Sequence, residues 1–131
     1  MVLCNSCLEI FNDNIIPKVQ GLCPKVNCKG ALMEFDEMLA PVVVLLYKKG
    51  YRHIENSCSG HAHRPDKVLH ICFNDNVLID DCPEEWETVH SGDKVIICKN
   101  IETQDLHKRQ MEIFKGLMQL WEWAKSLDNC F

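Results

Sequence analysis

Four cysteines in the first 28 residues have the types and the spacing to hold a metal ion. They read Cys4-x2-Cys7 and, after a 15-residue gap, Cys23-x4-Cys28. Zinc prefers four soft donors in a tetrahedron, and two short loops that each supply a thiolate pair meet that geometry. Gly21 and Gly30 flank the second pair and offer the positive-φ positions that such turns use. The spacing predicts a zinc ribbon over residues 1–32, with Cys4, Cys7, Cys23 and Cys28 as ligands and zinc as cofactor. Ordinary reduced thiols or a disulfide pair are the plain alternative. Four cysteine ligands leave no open coordination position, so the expected site is structural and not catalytic.

A second cluster of reactive groups is Ser57-Cys58-Ser59-Gly60-His61-Ala62-His63. It sits where an apolar strand should run out into a loop, and loops at strand ends carry binding groups. Several readings stand side by side. Ser57, Ser59, backbone N–H groups freed by Gly60, and His61 could line a pocket for a small or nucleotide-like ligand. Cys58, His61 and His63 could hold a second metal, the two histidines sharing a face only if the stretch is extended. Cys58 could act as a nucleophile with His61 as its base. The bland reading is a turn with a buried cysteine and solvent-facing histidines.

Composition bounds these readings. The chain has 131 residues, 47% hydrophobic and 25% charged, as one folded domain requires. No apolar run reaches the ~18 residues of a membrane span, so no membrane partner is expected. Met1-Val2-Leu3 leads straight into the metal motif, which predicts no signal peptide. Nine cysteines, an odd number, do not resemble a secreted disulfide framework and point to a reducing cytoplasm. The net charge of −5 disfavours generic nucleic-acid binding, although Lys18, Lys25 and Lys29 could make a local basic patch on the ribbon.

These groups need elements to position them. Leu8–Phe11 and Ile15–Val19 read as short ribbon strands around an Asn12-Asp13-Asn14 turn. Asp36 reads as the N-cap of a helix with Met38, Leu39, Val42, Val43 and Leu46 on its core face, ending at Lys48-Lys49-Gly50. Tyr51–Cys58 and Val68–Phe73 read as strands, with Val77–Ile79 extending or following the second. Trp86–His90 and Lys94–Lys99 flank a Ser91-Gly92-Asp93 hairpin turn. Thr103 is the expected cap of a long helix reaching about residue 127, with Leu106, Ile113, Phe114, Leu117, Leu120, Trp121 and Ala124 as one apolar stripe. The order predicts an α+β fold. A ribbon over 1–32 precedes a small domain over 33–131, with an antiparallel or mixed sheet and two helices packed on it.

The stretch Gly50-Tyr51-Arg52-His53 through Ser57-Cys58-Ser59-Gly60-His61 resembles a group of small proteins encoded by bacteriophages and Gram-positive bacteria. Their order is ribbon, helix, a GY…SCSGH segment, a strand pair, a proline-containing acidic turn and a terminal helix. Here the last two correspond to Asp80–Trp86 and Leu120-Trp121-Glu122-Trp123. The resemblance implies a phage-type protein that binds a host protein or a nucleotide-like ligand and inhibits a defence or transcription system. Ser57-Cys58-Ser59-Gly60 is also similar to a motif of the tRNA wybutosine-synthesising protein 3 family, which carries an arginine-like residue where this chain has His61. That similarity implies the alternative of an enzyme or accessory factor of nucleic-acid modification built on the Cys58–His61 loop.

Overall fold

The computed structural model describes residues 1–15, 21–64, 68–74, 79 and 81–130. The chain begins in strand β1 (Val2–Cys4), whose three residues are all buried. It pairs antiparallel with β2 (Ile10–Phe11) on one side and β3 (Leu32–Glu34) on the other. The expected strand over Leu8–Phe11 is shortened because Leu8 adopts φ +64° and its N–H returns to the Cys4 carbonyl at 3.1 Å. The turn of the first cysteine pair thus takes the residues that would have extended β2. Ile15 belongs to a 3-10 turn over Asp13–Ile15, not to a strand. The Asp13 carboxylate there pairs with the Met1 ammonium, and Ile15 N–H closes on Asn12 O at 3.1 Å. The rest of the strand expected over 15–19 lies outside the described residues.

Helix α1 (Ala40–Lys48) follows a 3-10 turn over Glu37–Leu39, with Pro41 in its first turn. Proline is tolerated there because the N–H it lacks would have no intrahelical partner. Leu39, Val42, Val43, Leu46 and Tyr47 are buried, whereas Met38 is 54% exposed and leaves the expected core stripe. Gly50, at φ +97°, ends the segment.

Strands β4 (Ile54–Ser59), β5 (Leu69–Phe73), β6 (Glu87–Ser91) and β7 (Lys94–Lys99) form a wholly antiparallel sheet in the order β4-β5-β7-β6. Gly92-Asp93 makes the two-residue turn between β6 and β7. Leu69, Ile71 and Phe73 alternate onto the inner face of β5 and meet Ile97 of β7 in the core; all four are fully buried. Of the strand expected over Val77–Ile79, residues 77 and 78 lie outside the described residues, and Ile79 is buried.

The last element is α2 (Leu106–Ser126). Its cap is Asp105, whose carboxylate accepts the Lys108 N–H at 2.9 Å. Thr103, the expected cap, instead accepts the Asp105 N–H at 3.4 Å, one step earlier. The buried face of α2 is Arg109, Ile113, Gly116, Leu120, Trp123 and Ala124. Leu106, Phe114 and Trp121 of the expected stripe face outward. Among the described residues the fold is therefore α+β with two sheets and two helices, and its core joins Leu3 of β1 to both helices and the larger sheet. No helix among the described residues is long and apolar enough to cross a membrane.

The two helices are tied at their C-terminal ends. Lys49 Nζ donates to the carbonyls of Ala124, Lys125 and Leu127 at 2.9, 2.6 and 2.6 Å. Tyr51 Oη donates to Asp128 O at 2.8 Å. An ammonium at a helix C-terminus meets orphan carbonyls and the negative end of the dipole together. Lys49→Met keeps the stem and removes the donor. It should lower unfolding free energy by about 1.5–3 kcal/mol, the range for hydrogen bonds to a charged group, measured by urea denaturation.

Candidate functional site

The cysteine pairs converge at the small sheet. Cys4 ends β1, the turn after it carries Cys7, and the isolated bridge Leu22–Ala31 brings the second pair back beside them. Cys4 Sγ stands 3.6 Å from Cys28 Sγ, and Cys7 Sγ 3.8 Å from Cys23 Sγ. All four sulfurs lie within 4.8 Å of one another. Four sulfurs each about 2.3 Å from a central ion stand about 3.8 Å apart, so the cluster has the size to hold a metal ion.

Each sulfur also meets the backbone N–H two residues on. Ser6 N–H donates to Cys4 Sγ at 3.4 Å. The Glu9, Lys25 and Gly30 N–H groups do the same for Cys7, Cys23 and Cys28. Such bonds favour the thiolate. Burial pushes the Cys23 thiol up to about 12, while the Gly30 N–H holds Cys28 down at about 7. Thiols this close do not all ionise by themselves; a bound cation is what lets every sulfur carry charge. Gly30 is required by space, and not by the positive φ that the sequence predicts there. A Cβ there would overlap Cys4 Sγ and stand 2.8 Å from Ser6 Cβ. Gly21, at φ +78°, does use its conformational freedom.

The Ser57–His63 segment closes β4 and turns sharply. Gly60 and His61 adopt φ +83° and +32° in succession. Two side chains from elsewhere shape the turn. Asp36 does not cap the first helix; its Oδ2 accepts the Ser59 N–H at 2.8 Å and lies 3.3 Å from His61 Nε2. Arg109 reaches up from α2, 1% exposed, and donates to the carbonyls of Gly60 (3.0 Å), Ala62 (3.1 Å), Arg64 (3.4 Å) and Ile101 (3.0 Å). Asp36 was masked in the sequence by its resemblance to a helix cap. Arg109 carries no sequence signal beyond a cation on the buried stripe.

The segment's residues part ways. Ser59, His61 and His63 line a cavity of about 220 Å³ with Gln110, Ile113 and Phe114. Ser57 is half-buried and faces a different hollow beside Glu55 and Glu37. Cys58 and Gly60 are buried. The Gly60 backbone is not open to a ligand as expected: its N–H donates to Cys58 Sγ at 3.4 Å and its carbonyl is taken by Arg109. His63 is exposed, its ring centroid 6.0 Å from that of His61. In place of His63, the structure gathers Asp36 with Cys58 and His61, one donor atom from each lying within 4.8 Å of the others. A single imidazole nitrogen is thus near both the sulfur and the carboxylate. A nucleophile–base–orienter relay needs the two partners on opposite ring nitrogens; this arrangement is convergent instead.

No family model, curated protein or solved structure matches the chain.

Two variants test how the loop is held. A methyl at Gly60 would meet Leu69 Cδ1 at 2.6 Å as well as requiring φ +83°. Gly60→Ala should therefore cost about 2–5 kcal/mol, summing left-handed strain and overpacking. Arg109→Met strands buried carbonyls, each worth about 1–3 kcal/mol when left unpaired, and should lower stability by at least about 2 kcal/mol. Both are read by denaturant midpoint, and a Gly60→Ala protein as stable as wild type would contradict the observed turn.

Proposed function

We propose that this protein is a zinc-supported binding protein that docks a protein partner on the outer face of α2. The observation that carries the reading is a second apolar stripe on that helix. Met111, Phe114, Met118 and Trp121 are 63, 60, 58 and 36% exposed, and Met38 beside them is 54% exposed. Positions 111, 114, 118 and 121 recur at helical spacing, so they form one line along the helix. Phe114 and Met118 stand as a ridge between two hollows of about 660 and 320 Å³. Large exposed apolar patches on folded chains mark interaction surfaces, and methionine-rich ones adapt to the segment they receive. Glu84, Lys115 and Glu122 line these hollows, Glu122 paired with Lys125 at 2.9 Å, and the chain as a whole carries a net charge of −5. The complementary partner is an apolar segment flanked by basic residues.

Size and charge separate this from the other readings. The cavity at His61, about 220 Å³, is smaller than the roughly 300–1,000 Å³ of usual small-molecule pockets. That counts against a nucleotide-like ligand at His61 itself. The acidic charge favours a protein partner over a nucleic acid. The resemblance to phage-encoded proteins extends the reading to a bacterial host protein, such as a component of a defence or transcription system, met in the reducing cytoplasm. The nine cysteines, none of them disulfide-bonded, suit that compartment. Zinc is the metal this four-thiolate set favours, and with every position filled its part is to hold the fold.

Two measurements test the proposal. Elemental analysis should show Cys23→Ser/Cys28→Ser losing one zinc per chain; unchanged zinc would remove the ribbon assignment. Phe114→Asp/Met118→Asp should keep stability within about 0.5 kcal/mol per site, as for exposed positions. A Gram-positive host protein retained by the wild type on an affinity column should be lost with this variant and kept by His61→Ala. Equal retention by the wild type and the double variant would overturn the docking face.

A further inference from the structure

We propose that Asp36, Cys58 and His61 form a second metal site, separate from the four-cysteine cluster, for a divalent borderline-soft transition ion of the zinc type. The three donors come from different places: the turn before α1, the end of β4, and the loop beyond it. They are an oxygen, a sulfur and a nitrogen, all within 4.8 Å of one another. Two light donors each about 2.0 Å from a tetrahedral ion stand about 3.3 Å apart. Asp36 Oδ2 and His61 Nε2 stand 3.3 Å apart.

A second, independent observation concerns the sulfur. Cys58 Sγ accepts the Gly60 N–H, two residues on, at 3.4 Å. This is the contact that Cys4, Cys7, Cys23 and Cys28 each make in the first cluster. Cys72 and Cys82 behave otherwise. Their thiols act as donors, to Glu55 Oε2 at 3.7 Å and to Trp86 O at 3.2 Å. Cys58 thus shares the local N–H to sulfur contact of the four clustered cysteines, whereas Cys72 and Cys82 point their sulfurs at oxygens.

The supporting shell is also in place. Ser59 N–H fixes the Asp36 carboxylate at 2.8 Å. Arg109 fixes the carbonyls on either side of His61. Outer groups that orient ligands in this way are a regular part of metal sites. Three donors leave a fourth tetrahedral position. His61 and Ser59 also border the cavity of about 220 Å³, which has room for water or one small ligand.

The test is zinc stoichiometry on the full chain, with Asp36→Asn, Cys58→Ser, His61→Ala and the Cys23→Ser/Cys28→Ser ribbon variant. Asp36→Asn is the conservative probe: an amide oxygen still accepts the Ser59 N–H, so the loop keeps its anchor while the charge is lost. The wild type should bind two zinc ions per chain, and each loop variant one. The ribbon variant should retain one, which is lost on adding Cys58→Ser. Cobalt substitution gives a second readout: the ribbon variant should still show a thiolate-to-cobalt charge-transfer band, and Cys58→Ser added to it should abolish that band. One zinc per wild-type chain, unchanged in a folded Asp36→Asn protein, would overturn the proposal. So would a ribbon variant with no cobalt–thiolate band and native circular dichroism.

Discussion

The molecule depends on a guanidinium held inside its core. The turn after β4 runs through two consecutive positive-φ residues, Gly60 and His61. The carbonyls of this loop reach inward, where water does not satisfy them. An unpaired buried acceptor costs about 1–3 kcal/mol, so a turn of this shape needs donors supplied from elsewhere. Arg109 supplies them from α2 through Nε and both terminal nitrogens. A lysine, with one nitrogen, could not spread its protons over carbonyls from Gly60 to Ile101 in the same way. Because the turn is held, Ser59 and His61 face Asp36, and the convergent oxygen, sulfur and nitrogen follow from that placement.

The same helix is gripped at its far end. Lys49 and Tyr51 bond to the carbonyls of residues 124 to 128, while Arg109 holds the N-terminal half. Ile113, Leu120 and Ala124 pack beneath. The outer line Met111–Trp121 thus lies on a helix bonded to the rest of the fold near both ends. A surface fixed before binding loses less entropy when a partner arrives. The side chains best represented on it, Met38, Met111 and Met118, are flexible ones that adjust to the partner's shape.

Much of this was legible in the residue order, and the misses have physical causes. The cysteine spacing locates the four-cysteine cluster, because cysteine pairs in two short turns can fold back on one another. The hairpin over β6 and β7 is legible because a Gly-Asp pair between alternating runs has few other solutions. Asp36 reads as a cap because a carboxylate before a helix usually is one; here a strand end brought close by the fold takes the oxygen, and the tertiary partner wins. Gly60 was read as an opening for a ligand, but its missing side chain makes room for Leu69. The sequence shows one apolar stripe along α2, and the structure divides its residues between core and surface. One period of 3.6 residues cannot tell a broad buried face from a buried line next to an exposed one. Arg109 was unreadable because its partners are backbone carbonyls, which leave no trace in residue types.

The four-cysteine cluster is more than an appendage at the chain's start. Cys4 is joined directly to Leu3, and Leu3 is fully buried in the core shared by both helices and the larger sheet. Phe35, beyond β3, closes the other side, its N–H bonded to Met1 O at 3.0 Å. A metal ion that fixes Cys4 against Cys28 therefore fixes the register of β1 between β2 and β3, and with it a core side chain. Such cross-linking matters in a chain of 131 residues that leaves several large apolar side chains outside its core. Area turned outward for a partner is area lost to folding. Metal binding that needs the folded site returns free energy to the folded state. A metal ion held by the four cysteines would thus support a fold that leaves large apolar side chains such as Met111, Phe114 and Met118 on its surface.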